Sequence, residues 1–227
     1  MSIEYCVVSI GALSHNRLWG ESAPCRTAHS TSTYISDGQR HILVDPSLPG
    51  PVLAARFAER TGKALTDVTD VFCTTLRPIH RRGIEAISQA KWWASEIELQ
   101  HYQHHLEQLL GSADHLSVED SALAEMDLKL IQRFCPAPDK FTEQVSLFPT
   151  YGPSPGSTAL LLTPSDMTIA IAGDAALTKA HVEHGQVWQG CADVKAAMES
   201  LGDLLEIADV LIPGHDELII TPRQRWI

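Results

Sequence analysis

Three short apolar runs in this chain end in residues able to bind a metal ion. Val71-Phe72-Cys73 passes through Thr74-Thr75 into Leu76-Arg77-Pro78-Ile79-His80. Met167-Thr168-Ile169-Ala170-Ile171-Ala172 ends in Gly173-Asp174, and Asp209-Val210-Leu211-Ile212 ends in Pro213-Gly214-His215-Asp216. Polar side chains at the ends of buried strands face the crevice where α/β folds bind ligands. His80, Asp174 and His215 therefore form a ligand set for one metal ion, drawn from separate strands. Arg77 shares the first loop. Its guanidinium stays charged and has the planar fork that suits a carboxylate or a phosphate.

Periodicity and punctuation define the elements that must position these residues. Residues 4–10 alternate as a first strand, whereas 14–30 show no period and form a long loop of the kind that serves as a lid. His15, Trp19, Arg26 and His29 in that loop are pocket candidates, with a plain surface or loop-packing role the simpler expectation for each. Residues 31–35 and 41–44 pair around the turn Ser36-Asp37-Gly38-Gln39. Asp45 follows as a turn residue able to accept backbone hydrogen bonds. A helix with one apolar stripe covers 51–60, with Pro51 in its first turn. After the central loop come a short helix over 84–90 and a strand over 90–94. Ser95 and Glu98 match a capping box and open a helix that runs through Leu110. His101, His104 and His105 share one face of that helix, which reads as solvated. Residues 117–134 form the next helix, ended by Cys135-Pro136-Ala137-Pro138. Strands over 144–148 and 158–162 flank the loop Tyr151-Gly152-Pro153-Ser154-Pro155-Gly156-Ser157. His181 and His184 lie in a segment within reach of the site's mouth, and 192–207 is an amphipathic helix feeding the last strand.

In this order the motifs resemble the metallo-β-lactamase fold superfamily, whose members carry a T-H-x-H-x-D-H loop, a P-G-H-T-P-G loop, a G-D aspartate and a late P-G-H. The frame spans nearly the whole chain, from Ile42-Leu43-Val44-Asp45 to Ile212-Pro213-Gly214-His215. The resemblance implies an α/β fold, a four-layer αβ/βα sandwich over 1–227 as a single domain, with the site along one edge. Usual members hold two ions, one on three histidines and one on an aspartate and two histidines, with a shared bridging aspartate. Here Thr75, Arg77, Ile79 and Pro153 stand at four of the ligand positions, and His80, Asp174 and His215 match. Asp45 matches the aspartate that supports the metal loops from behind.

Two histidines and one carboxylate leave positions open for water and substrate, the pattern of a catalytic ion and not of a closed structural one. Three readings stay open. In the first, one divalent ion, zinc before iron or manganese, activates water for hydrolysis; Asp174 and Arg77 are the catalytic residues, and Arg77 orients a small, anionic substrate. Asp45, Thr75, His29 and His181 then surround the pocket. In the second, Arg77 neutralises Asp174, no metal is bound, and the domain binds a ligand or keeps a vestigial site. In the third, an iron ion on the same three ligands serves an oxidoreductase.

Bulk properties narrow the partners. A chain of 227 residues with 44% hydrophobic composition can bury a core without disulfides. The net charge of -11 argues against nucleic acid or an anionic membrane as partner. Five cysteines, at 6, 25, 73, 135 and 191, follow no metal-binding spacing and read as free thiols, with Cys6 and Cys73 in the core; the expected location is the cytoplasm. Met1-Ser2-Ile3-Glu4 lacks the basic start of a leader, and no apolar run is long enough to span a membrane. Composition leaves the substrate's identity and the oligomeric state open.

Overall fold

Strands bury alternate residues on opposite faces, and here both faces of each sheet are covered. The computed structural model describes residues 3–111 and 117–221. Met1-Ser2, part of the leader reading, and 222–227, inside the single-domain reading, lie outside the described residues. The first half comprises β1 (Glu4–Ser9), β2 (Ser32–Ser36), β3 (His41–Val44), α1 (Gly50–Thr61), β4 (Asp70–Phe72), β5 (Lys91–Ala94), α2 (Glu96–Gly111), α3 (Val118–Ile131) and β6 (Phe134–Pro136). Its strands form one sheet in chain order, antiparallel from β1 to β3 and parallel from β3 to β6. The second half comprises β7 (Lys140–Thr142), β8 (Val145–Pro149), β9 (Thr158–Leu162), β10 (Ile169–Gly173), α4 (Lys179–Glu183), α5 (Val194–Ile207), β11 (Val210–Pro213) and β12 (Ile219–Ile220). These strands form a second sheet, also in chain order, antiparallel except for the β10–β11 pair.

Period-2 alternation sorts the apolar residues into three layers of core. Ile42, Val44 and Phe72 of the first sheet meet Leu160, Leu162, Ile169 and Ile171 of the second between the sheets. Leu43, Val71 and Trp92 point the other way, against Leu53 and Phe57 of α1 and Leu106 of α2. Ala170, Ala172 and Leu211 face Ala197, Leu201 and Leu204 of α5. The result is the four-layer αβ/βα sandwich. Fully buried alanines in β10 let the α5 leucines approach the second sheet closely.

Several local expectations change. The helix expected over 117–134 stops at Ile131, and Phe134–Pro136 turns back to extend the first sheet, with Phe134 opposite Trp92 and Pro136 at the edge where its missing N–H costs nothing. Ile84–Ile87 is a 3-10 turn, shorter than the helix read over 84–90. The capping box is only half formed: Ser95 Oγ accepts from the Glu98 N–H at 3.2 Å, but the Glu98 carboxylate turns into the protein. Residues 14–30 carry a 3-10 turn at Arg17–Trp19, and the loop is closed at its base by pairing between Ala12 and His29. His101, His104 and His105 are exposed. Cys73 is buried and Cys6 half-buried against the helix-side core. No described helix is long and apolar enough to cross a membrane.

The ends of β3, β4, β10 and β11 meet along one edge of the sandwich. Thr158 N–H donates to Thr74 O at 3.0 Å, and His215 N–H to Leu177 O at 2.9 Å, which ties the strand-end loops together. Gly173 is the tightest joint. Its φ of 54° is left-handed, and a Cβ there would lie 2.3 Å from Thr74 Oγ1. Gly173→Ala is expected to destabilise the protein by at least about 2 kcal/mol in urea unfolding; an unchanged midpoint would show that this joint tolerates a side chain.

Candidate metal centre

Donor geometry fixes the protonation of both histidines. His80 Nδ1 lies 2.9 Å from Asp45 Oδ2, and His215 Nδ1 lies 2.9 Å from the His29 carbonyl oxygen. Neither partner can donate, so each Nδ1 carries the hydrogen, and a neutral ring then presents the lone pair of Nε2. Both Nε2 atoms point at one oxygen of Asp174: His215 Nε2 is 3.0 Å and His80 Nε2 3.1 Å from Oδ1. The His80 contact is out of line for a hydrogen bond, which leaves this wholly buried nitrogen without a partner. Two lone pairs converging on a carboxylate oxygen repel unless a cation sits among them, either a metal ion or a proton.

Donor chemistry and spacing fit a metal ion. The three ligand atoms lie within 4.8 Å of one another. Ligands at metal bonds of about 2.0–2.1 Å on a tetrahedron are separated by roughly 3.3 Å, close to the two Nε2–Oδ1 distances. Without a metal the proton takes that place. Burial opposes charge on His80, but the Asp174 and Asp45 carboxylates overcome it and raise the pKa to about 10. Burial likewise penalises the Asp174 anion, yet the charge of the nearby His80 and the contact with His215 hold its pKa well below the usual carboxylate range.

Asp174 Oδ2 has a different partner. Arg77 Nη1 donates to it at 2.7 Å, Nη2 donates to the Pro153 carbonyl, and the guanidinium lies 4.2 Å from the centre of the Trp188 ring. Arg77 thus binds Asp174 directly, and two of its five N–H donors are engaged by the protein. The aspartate is 2% exposed, so this pair is partly desolvated and each member depends on the other.

Asp45 supports the centre from below. It is 1% exposed, and its φ of 48° is rare for a residue with a side chain. Oδ1 accepts from Thr74 N–H at 2.9 Å, while Oδ2 accepts from Thr74 Oγ1 at 2.7 Å and from His80. A carboxylate bonded to the far nitrogen of a ligating histidine fixes the ring's orientation and strengthens it as a ligand.

Other sequence-predicted residues are distributed differently. The His29 side chain bonds Thr27 and Ile10 carbonyls, and only its backbone oxygen reaches the centre. Thr75 faces away: its hydroxyl donates to Glu98 Oε1 at 2.8 Å, because the neighbouring Thr74 side chain takes the inward direction. His181 lines the cavity over the cluster, with Nδ1 2.7 Å from Thr178 Oγ1. Burial, then the nearby His184 and His215, lowers its pKa, so it is neutral at neutral pH. His184 is exposed and bonds the Ala180 carbonyl at 2.7 Å. His15 lines the cavity; Trp19 is exposed, and Arg26 pairs with Glu21.

Glu98 was missed as a member of this region. It is 2% exposed and accepts four bonds, from Thr75 Oγ1 at 2.8 Å, Leu76 N–H at 2.9 Å, Ser154 Oγ at 2.7 Å and Gly156 N–H at 3.1 Å. Thr75 and Leu76 precede Arg77, and Ser154 follows Pro153, so one carboxylate clamps both loops that hold Arg77. Its place three residues after Ser95 gave a rival explanation in helix capping, which hid it.

No family model matches the chain, and no curated protein does. Solved structures do. A Thermotoga maritima protein described provisionally as a metallo-beta-lactamase is 16% identical, with a TM-score of 0.71 over 97% of this chain and 100% of its own. AidC, a dizinc quorum-quenching lactonase in complex with a product, N-hexanoyl-L-homoserine, is 14% identical, with a TM-score of 0.68 over 99% of this chain and 89% of its own. A variant of AiiA from B. thuringiensis with N-decanoyl-L-homoserine at its active site is 15% identical, with a TM-score of 0.66 over 95% and 93%. The chain has the metallo-β-lactamase fold. On this metallo-β-lactamase scaffold, the Arg77 cation rests directly on Asp174.

Three outcomes are expected. A metal ion must displace the His80 proton, so zinc binding should release a proton and tighten as pH rises from about 6 towards 8; buffer-dependent calorimetric enthalpies check this. In metal-free protein the His80 pKa of about 10, against an ordinary 6.5, stabilises the fold fully below about pH 6.5. That contribution is lost as pH rises through about 10, so melting temperature should fall over this window. Glu98→Gln places amide hydrogens against donors and should cost about 2–3 kcal/mol in urea unfolding; a cost under about 0.5 kcal/mol would refute the clamp.

Proposed function

We propose that this protein is a mononuclear metal-dependent hydrolase acting on a small-molecule substrate. The observation that carries the reading is the convergence of His80 Nε2, His215 Nε2 and Asp174 Oδ1 while Arg77 occupies Asp174 Oδ2. One oxygen of the aspartate is free for an ion, and the other is taken by a fixed cation. A divalent ion bound there supplies Lewis-acid polarisation of a carbonyl or phosphoryl oxygen and activates water at neutral pH. Zinc fits two imidazoles and one carboxylate best, with iron and manganese the alternatives.

The chain's own residues do the rest. Asp45 and the His29 carbonyl keep both imidazoles in one tautomer, with Nε2 towards the cavity. Arg77 places a permanent positive charge beside Asp174, where negative charge developing on a substrate would be stabilised. His181, neutral and held by Thr178, can accept or hand on a proton at the cavity wall. Small-molecule chemistry is supported by the lactonase product bound in AidC. The free thiol state of all five cysteines supports a cytoplasmic location.

A metal-free ligand binder is the second reading, favoured by one observation. Arg77 and a protonated His80 together neutralise Asp174 without any ion.

Metal analysis separates the two. After dialysis against a mild chelator the protein is expected to retain at most one transition-metal ion per chain; two tightly held ions would defeat the mononuclear reading, and none under excess zinc would establish the metal-free one. Arg77→His removes the cation and adds a ligand beside Asp174, so calorimetry should show the ion bound more tightly, by on the order of tenfold. Equal or weaker binding would mean that Arg77 does not act as the surrogate for a second ion.

A further inference from the structure

The cavity above the cluster has a charge balance opposite to that of the whole chain. It encloses about 480 Å³, within the range that holds drug-sized ligands. Asp174 is the only carboxylate among its lining residues, and its charge is met by Arg77. Arg77 in turn has Nη1 on Asp174, Nη2 on the Pro153 carbonyl and its face on Trp188. Its charge is thus largely offset where it stands, next to the cluster.

Arg17 is the cation that remains. It lines the same cavity, is exposed, and its side chain makes no hydrogen bond or ion pair among the described residues. The loop carries one acid, Glu21, and both its oxygens are engaged, one by Arg26 and the other by the Asn16 N–H. The position of Arg17 is fixed all the same. Asn16 is 2% exposed, its Oδ1 accepts from Leu18 N–H at 3.0 Å, and its Nδ2 donates to Thr178 Oγ1 at 3.4 Å, which pins the turn bearing Arg17 to the wall that carries His181. The same cavity is also lined by the apolar side chains of Leu13, Leu18, Ile79, Leu177, Val187 and Trp188.

We propose that the substrate is an amphiphilic organic anion whose charged group pairs with Arg17 at the rim, whose apolar body lies along these side chains, and whose reacting bond reaches the cluster. Resting on the reading that substrate enters this cavity, the assignment adds the class of molecule and the residue that selects it. An unpaired guanidinium carried on a fixed turn can bind a carboxylate, phosphate or sulfonate by charge-assisted hydrogen bonds. The apolar wall would be left unfilled by inorganic phosphate or a small hydrophilic acid.

The test compares two probes that cannot be hydrolysed, 1-hexanesulfonate and the uncharged 1-hexanol, by ligand-observed NMR titration of the protein as purified. Hexanesulfonate is expected to bind on the order of tenfold more tightly than hexanol. Arg17→Gln should abolish that preference while leaving hexanol binding unchanged, Arg17→Lys should keep most of it, and about 0.5 M NaCl should shrink it in the parent. Equal binding of the two probes to the parent, or a preference that survives Arg17→Gln, overturns the proposal. If the glutamine variant does not fold, the parent's probe preference and its loss in salt decide the question. Metal content is measured separately: a protein without metal that still prefers the sulfonate defeats the hydrolase reading alone, whereas one retaining metal without the preference defeats this assignment alone.

Discussion

The divided carboxylate of Asp174 is the interaction on which the centre depends. An anion with 2% exposure is costly to bury, and here both oxygens are answered, Oδ2 by Arg77 and Oδ1 by two imidazole nitrogens. Each answering group is itself constrained. Asp45 and the His29 carbonyl set the ring tautomers, while Pro153 and Trp188 hold the guanidinium in place. Because both Nδ1 atoms are donors, the space beside Oδ1 requires positive charge, whether metal or proton. That requirement follows from hydrogen-bond bookkeeping alone.

Arg77 and Glu98 together cross-link the loops around the centre. Around a metal, loops present acceptors to a cation. Here Thr75, Leu76, Ser154 and Gly156 present donors to an anion, the Glu98 carboxylate, while the cation is a guanidinium held by Asp174 and the Pro153 carbonyl. Close approach makes this possible: a Cβ on Gly156 would lie 2.1 Å from Glu98 N, so only a glycine lets that loop reach the start of α2.

Electrostatics also divides the molecule into regions. The chain carries a net charge of -11, yet the cavity is lined by one paired acid, two arginines and three histidines. A low-dielectric wall around such groups focuses their field at the mouth. The cavity's lining thus carries a charge balance opposite to that of the chain as a whole.

The sequence by itself determined the fold class, since the alternation of Ile42-Leu43-Val44 and Ile169-Ala170-Ile171-Ala172 assigns each residue to one side of a sheet wherever the sheets lie. It also determined which polar residues end which strands, because an apolar run that stops at Thr74, Asp174 or His215 must leave that residue at a strand end. Where periodicity competed with other signals it misled: the helical pattern over 117–134 ran on into β6, because Phe134 and Cys135 pair with β5, and only the neighbouring strand supplies that preference. Tertiary structure alone decided that Arg77 meets Asp174, 97 residues away, and that Glu98 joins loops 22 and 58 residues distant. It likewise turned Thr75 and the His29 ring away from the centre. Contacts of this kind depend on side-chain direction and on which strand ends become neighbours, and a linear pattern carries information about neither.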